Sequence, residues 1–230
     1  MSSFSALKEA CCEANRLLPS YNLVDLTFGS LSVADRAQGC YAIKPGGVAY
    51  DDLRPEDIVV LDFNGKLVEG NLHPSADAPT HRRILQAFPG VGAVVYTHSR
   101  NATAFAQAGR AIPCLGTSHA DYFQGEVPVT RPMSRSEIQG PYEWETGNVI
   151  VERFQKGNLD PANVPAVLVR GHAPFVWGTT VWNALENAIA LEFIADLARK
   201  TLQLDPGAAP LPGLVVERHF RRKRAADRPG

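Results

Sequence analysis

The sequence predicts a single α/β domain with a central, mostly antiparallel sheet flanked by helices, and three observations predict it. Asn64-Gly65 between two apolar runs is a hairpin signal and calls for antiparallel strands. Residues 92–98 and 167–172 are short apolar runs of the length and β-branched content of buried strands. Several helical patterns, the longest over 180–204, supply the covering layers. A chain of 230 residues suits one full core better than two. The domain is expected over 1–204, with 205–230 a linker and basic C-terminal arm of the same unit.

The elements follow in order. Leu7, Cys11, Ala14 and Leu18 recur at helical spacing, which predicts a helix over 5–18 stopped by Pro19. Residues 23–27 read as a strand ending near Gly29, and 41–44 as a second strand broken by Pro45-Gly46-Gly47. The hairpin strands occupy 58–62 and 66–69. A helix over 79–88 has Asp77 in a capping position and Pro79 in its first turn. The strand at 92–98 is followed by a helix at 101–108. The run 167–172 repeats the pattern of an apolar strand ending in a histidine. Leu185, Ile189, Phe193 and Leu197 mark the faces of the long helix, and three prolines with a glycine in 205–212 make a linker.

Composition excludes some functions. Hydrophobic residues at 45% and charged residues at 20% are ordinary for a globular protein. A formal net charge of −1 gives no global attraction to nucleic acid. The basic run His219-Phe220-Arg221-Arg222-Lys223-Arg224 reads as a solvated end that is able to reach a neighbouring subunit. Cys11, Cys12, Cys40 and Cys114 show neither zinc-finger nor disulfide-framework spacing, so reduced thiols and a cytoplasmic location are expected. No stretch has the length of a membrane span, and residues 1–19 lack the apolar core of a signal peptide.

His98 and His172 each end an apolar run, where a side chain leaves the core and faces a cleft. Tyr96 and His98, two apart on a strand, point to one face. Two imidazoles projected from rigid strand ends suit a divalent cation, with Asp77 and Tyr96 as oxygen donors. Hydrogen-bonded histidines at a loop edge fit the same spacing, and spacing alone leaves both readings open. Gly46-Gly47 suits either a tight turn or a backbone anion cradle.

Several longer motifs extend this reading. Asn22-Leu23-Val24, Thr27-Phe28-Gly29, Ile43-Lys44-Pro45, the run Pro74 to His81, Thr97-His98-Ser99, and the run Thr117 to Phe123 together resemble the class II aldolase family. Tyr142 to Asn148 and His172 to Gly178 resemble it too, and the similarity spans about residues 22–204. The resemblance is to the epimerase branch. It implies a metal-dependent epimerisation of a pentulose phosphate, L-ribulose 5-phosphate to D-xylulose 5-phosphate, by retro-aldol and aldol chemistry. By the same resemblance Asp77, His98, His172 and Tyr96 would surround a divalent ion, zinc by expectation, and Asp121 would be an acid/base group. His219 matches a histidine of the intersubunit surface and is the second catalytic candidate. Gly29, Ser30, Lys44, Gly46, Gly47, Ser75 and Ala76 would receive the phosphate. A homotetramer with sites between subunits is implied, with a small sugar phosphate as partner and neither nucleic acid nor membrane.

Four departures qualify these expectations. The family's His-Thr-His reads Tyr96-Thr97-His98 here, and a phenol with an ordinary pKa of about 10 is a poor zinc ligand. No tyrosine follows Tyr142, so the tail tyrosine that carries a proton in the family is missing. Ser30, Gly46 and Ala76 replace more polar residues, and each lost charge-assisted hydrogen bond costs about 1.5–3 kcal/mol. Arg170 replaces a histidine two positions before His172 and suits an anionic group. A relative acting on another sugar or hydroxy acid by aldol, isomerase or decarboxylase chemistry, and an inactive binding scaffold, are the alternatives. His81 reads as a packing or outer-shell histidine, His73 as solvated, and His119 as a loop or site residue. Trp144 and Trp177 read as core or interface aromatics, Glu143 and Glu145 as a helix-start network.

Overall fold

The computed structural model describes residues 3–226. Residues 227–230, the end of the arm, and residues 1–2 lie outside the described residues. The strands are β1 (Ser30–Asp35), β2 (Cys40–Ile43), β3 (Val59–Asp62), β4 (Leu67–Glu69), β5 (Ala93–Tyr96), β6 (Ala166–Leu168) and β7 (Pro174–Gly178). They form one sheet in the order β4-β3-β2-β1-β5-β7-β6, with every neighbouring pair antiparallel. The helices are α1 (Ser5–Leu17), α2 (Ala78–Ala87), α3 (Arg100–Ala108), α4 (Thr117–Tyr122), α5 (Arg135–Gln139), α6 (Tyr142–Gly157), α7 (Val181–Leu204) and α8 (Gly213–Ala226).

Alternation along the strands sorts side chains into two cores. Ala93 and Val95 of β5, with Val176 of β7, enter a core shared with α3 and α7. Val94 and Tyr96, with Phe175 and Trp177, enter the opposite core beneath α2 and α6. This period of two decides on which face the polar ends of the strands emerge. No helix among the described residues is long and apolar enough to cross a membrane.

Two strand expectations change. Residues 23–27 are not a strand: Asn22 and Leu26 both sit at φ 56°, a left-handed conformation that breaks extended backbone. Leu23 and Val24 are buried all the same, and that burial makes the segment look strand-like in sequence. The first strand begins instead at Ser30, after Gly29. The run 167–172 ends as a strand at Leu168. His172 lies in the turn to β7, where its N–H donates to Val169 O at 3.0 Å and Gly171 adopts φ 73°.

The other expected elements are present. Gly65, at φ 88°, turns β3 into β4. Asp77 is the N-cap of α2, but its carboxylate makes no capping hydrogen bond and stays available to the cleft. The arm beyond the linker is a helix: α8 packs on α4, with Val216 and Phe220 buried.

Gly29 fixes how closely β1 can approach the end of β5. It has φ 88°, and an added Cβ would lie 2.6 Å from Tyr96 O. Gly29→Ala therefore combines backbone strain with a clash against main chain. The expected loss of stability is about 1–3 kcal/mol, read as a lower urea midpoint. An unchanged midpoint would refute this account of the approach.

Candidate functional site

The site is built on register. Ser30, Tyr96 and Phe175 lie opposite one another across β1, β5 and β7. The Tyr96 ring stacks on Phe175 with centroids 4.8 Å apart, which directs its hydroxyl past the strand end. There Tyr96 Oη lies 2.7 Å from His98 Nε2 and 2.9 Å from His172 Nε2. His98 is held between β5 and α3, whose first N–H groups are capped from α7 by the Glu192 carboxylate. The Phe28 ring lies 5.5 Å from His98. His172 is held by its turn, which Gly171 N–H ties to Ala106 O at 2.9 Å.

One phenol proton cannot be given to two nitrogens. Tyr96 must donate to one imidazole and accept an N–H from the other. His172 Nδ1 is buried with no hydrogen-bond partner. A bare acceptor there is less costly than an orphaned N–H. His172 is therefore the Nε2–H donor, and His98 Nε2 accepts the phenol proton.

Electrostatics point the same way. Burial brings His172 down to about 4, helped by His98, and lowers His98 as well, so both rings are neutral at pH 7. Burial, then the charge of Asp77, pushes the Tyr96 phenol far above its ordinary range. The half-buried Asp77 carboxyl is raised to about 6 by burial and then by Glu143. Tyr142 also acts on Tyr96, and Thr80 Oγ1 donates to Glu143 O at 2.5 Å, fixing the start of α6 over α2. Glu143 and Tyr142 were missed as site neighbours because helix-start acids have a simpler capping explanation.

The expected phosphate loops come together in part. Ser75 N–H donates to Lys44 O, and Pro45 pairs with Pro74, so 44–47 and 73–76 lie side by side. Within them several polar groups face inward. Lys44 is buried; its Nζ donates to the carbonyls of Pro45 and Val48 and lies 4.8 Å from the Tyr50 ring centre. Tyr50 Oη contacts both Phe28 O and Gly29 O at 2.9 Å, linking this loop to the first glycine turn. Ser30 Oγ meets His81 Nε2 at 3.3 Å, Gly46 N–H donates to His73 O, and Ser75 Oγ accepts from Asp77 N. Gly47, at φ 75°, and Ala76 remain on the exposed edge. Arg170 packs its guanidinium against Gly109 at the end of α3.

Asp121 and His219 meet elsewhere, where α4 packs on α8. Asp121 Oδ1 lies 3.1 Å from His219 Nδ1. Among the described residues no hydrogen bond joins this pair to the Tyr96 cluster. Of the remaining histidines, His81 is buried between Ser30 and Ser32, His119 Nε2 donates to Gly125 O at 2.8 Å, and His73 is exposed. Trp177 is a core residue, whereas the half-buried Trp144 lies beneath Arg82 and Arg83.

The donor set fits a divalent cation, with reduced strength. Two neutral imidazole nitrogens face one phenol oxygen, and a half-buried carboxyl with raised pKa stands near it. Among the described residues no three His, Cys, Asp or Glu side chains gather into one ligand group, because the third member here is a tyrosine. Binding would require the phenol to release its proton and His172 to carry an N–H on its orphaned Nδ1. Loss of an outer-shell partner alone typically costs 10–100-fold in metal affinity.

Residues 9–198 match the family described as Class II Aldolase and Adducin N-terminal domain. An L-ribulose-5-phosphate 4-epimerase UlaF from Salmonella paratyphi A (strain ATCC 9150 / SARB42) is 46% identical over 217 residues, 94% of each chain. One of the same name from Salmonella paratyphi C (strain RKS4594) is 45% identical over the same span. Among solved structures, an L-fuculose 1-phosphate aldolase superposes with a TM-score of 0.80 at 23% identity, covering 97% of this chain and 98% of that one. At that identity the superposition supports the fold alone.

The buried imidazoles set a pH dependence of stability. Burial holds His81 down to about 3 and His119 down to about 4, against an ordinary 6.5. The unfolded chain therefore binds more protons as pH falls below 6.5, and stability is lost towards acid. Asp77, raised to about 6, works in the opposite direction as pH falls through 6. Between pH 7 and 5 each fully buried ring contributes a loss of roughly 2 kcal/mol, so the rings outweigh the carboxyl. The urea midpoint should be lower at pH 5 than at pH 7; an equal or higher value would contradict it.

Proposed function

Because the chain belongs to the class II aldolase and adducin N-terminal domain family, we propose that it epimerises a pentulose phosphate with a divalent cation, taking L-ribulose 5-phosphate to D-xylulose 5-phosphate. The observation that carries this reading is the convergence of His98 Nε2 and His172 Nε2 on Tyr96 Oη. Similarity to 4-epimerases over 94% of the chain supports the substrate class.

In this reading His98, His172 and Tyr96 Oη hold the cation, zinc by resemblance, with Asp77 beside it. When bound, the cation would supply Lewis-acid polarisation of the sugar's oxygens. Asp121 handles the proton on one face of the reacting carbon, and His219 relays for it. The exposed edge at Gly47 and Ala76 receives the phosphate. Phe28 walls the side of His98. The separation of Asp121 and His219 from the Tyr96 cluster supports completion of each site by a second copy, the homotetramer expected from the resemblance. The protein then works in the cytoplasm.

A second reading has its own support. Ser30 and Lys44 are engaged internally, and Ser75 Oγ serves Asp77 N, so fewer side chains are free to hold a phosphate. A related sugar or hydroxy acid would then be the substrate, with the same proton-handling residues.

The first reading makes definite demands. Purified protein should convert L-ribulose 5-phosphate, lose activity to a chelator and regain it with added divalent ion. Asp121→Asn should lower kcat by roughly 10²–10⁴-fold. Tyr96→His should tighten zinc binding by about 10–100-fold in a competitive titration. Metal-loaded protein that turns over a different hydroxy acid selects the second reading. Absence of both metal uptake and ligand-induced thermal stabilisation leaves a binding scaffold and ends both.

A further inference from the structure

We propose that Arg222 is a positioning residue that sets which ring nitrogen of His219 carries the proton. This rests on the reading of Asp121 and His219 as the proton-handling pair. The two basic residues are three apart on α8, and therefore share one face of that helix. The buried Val216 and Phe220 dock the helix, and Lys223 joins Glu186 of α7 at 3.1 Å.

Three short contacts meet at this corner. Asp121 Oδ1 lies 3.1 Å from His219 Nδ1 and 3.3 Å from Arg222 Nη2. The same Nη2 lies 3.1 Å from His219 Nδ1. These contacts make opposed demands on one nitrogen. A guanidinium only donates, so its contact requires a lone pair on Nδ1. A carboxylate only accepts, so its contact requires a proton there. A neutral ring satisfies one of them at a time.

Arg222 resolves the conflict by bridging. With the proton on Nε2, Nδ1 accepts from Arg222, and the guanidinium also donates to Asp121 Oδ1. Direct pairing of ring and carboxylate is then replaced by a shared cation. The ring proton sits on the far nitrogen, and Asp121 is left as an acceptor towards the groove it lines with Ser118, Tyr122 and Trp182. The remaining charged neighbours are Glu186 and Lys223. Glu186 is engaged by Tyr122 Oη at 2.9 Å as well as by Lys223. The Arg222 side chain is 66% exposed, so its ion pair adds little to stability and its effect is directional.

The test is the tautomer of His219, read by long-range proton–nitrogen NMR on the full chain, with His219→Gln identifying the ring signals. Wild type should show Nε2–H. Arg222→Gln should shift the ring to Nδ1–H, and Arg222→Lys, which keeps a cationic donor, should retain Nε2–H. Unchanged amide spectra elsewhere would show that α8 stays docked. With L-ribulose 5-phosphate, Arg222→Gln should lower kcat by about tenfold, less than the roughly 10²–10⁴-fold of losing an acid–base group outright, and leave KM nearly unchanged. An Nδ1–H tautomer in wild type, or the same tautomer in wild type and Arg222→Gln, overturns the proposal. Absence of turnover in wild type counts against the functional reading instead, and the NMR comparison still decides the role of Arg222.

Discussion

The site depends on one hydroxyl facing two imidazole nitrogens. Tyr96 Oη within 2.9 Å of both Nε2 atoms requires β5, the β5–α3 junction and the β6–β7 turn to meet at one point. Each is fixed by separate means: stacking on Phe175, the Glu192 cap on α3, and the Gly171 hydrogen bond to α3. Burial keeps both imidazoles neutral, which ligation of a cation requires. It also keeps the phenol protonated, which opposes ligation. The same desolvation thus prepares two donors and weakens the third.

That opposition links geometry to function. A third imidazole would have a lone pair at neutral pH and need no proton loss to coordinate. Tyr96 instead donates its proton to a neighbour, so its oxygen holds the two rings in place without a cation. The arrangement preorganises the two histidines, and any cation bound there would have to compete with the phenol proton. Asp77 adds to the balance. Its carboxyl is raised to about 6, because neither burial nor Glu143 is offset by a nearby cation. A divalent ion would meet that need, which is why the cluster still reads as a cation site despite its tyrosine.

Much of this was legible in sequence. The two-residue spacing of Tyr96 and His98 placed them on one face, and Pro79 at the start of a helix placed Asp77 at its N-cap. The hairpin at Asn64-Gly65 and the long helix were clear because turn chemistry and helical periodicity are local. The orientation of buried polar side chains was not local. Lys44 looked like an anion ligand until its Nζ proved to be enclosed by the carbonyls of its own loop, and Ser30 until its hydroxyl proved to face His81. Burial misled at 23–27, where apolar side chains fill the core from an irregular backbone. The turn at His172 was hidden because the apolar residues 167–169 run straight into Arg170-Gly171-His172, so the strand seemed to continue.

The two clusters assigned to the proposed chemistry are organised on opposite principles. At the Tyr96 cluster, register across β1, β5 and β7 fixes the groups, and a shift of one residue would turn them to the other face. At the α4–α8 corner, a helix that reaches its place through a proline-rich linker carries both His219 and Arg222. Its register against Asp121 is set by Val216 and Phe220 inserting beneath it, not by strand pairing. The sheet thus gives the imidazole pair a position that few local changes can alter. The docked helix leaves Asp121 and His219, the pair proposed to handle protons, open to adjustment by residues one turn away. The role proposed for Arg222 uses that latitude: a guanidinium one turn from His219 would redirect a ring proton without disturbing the sheet.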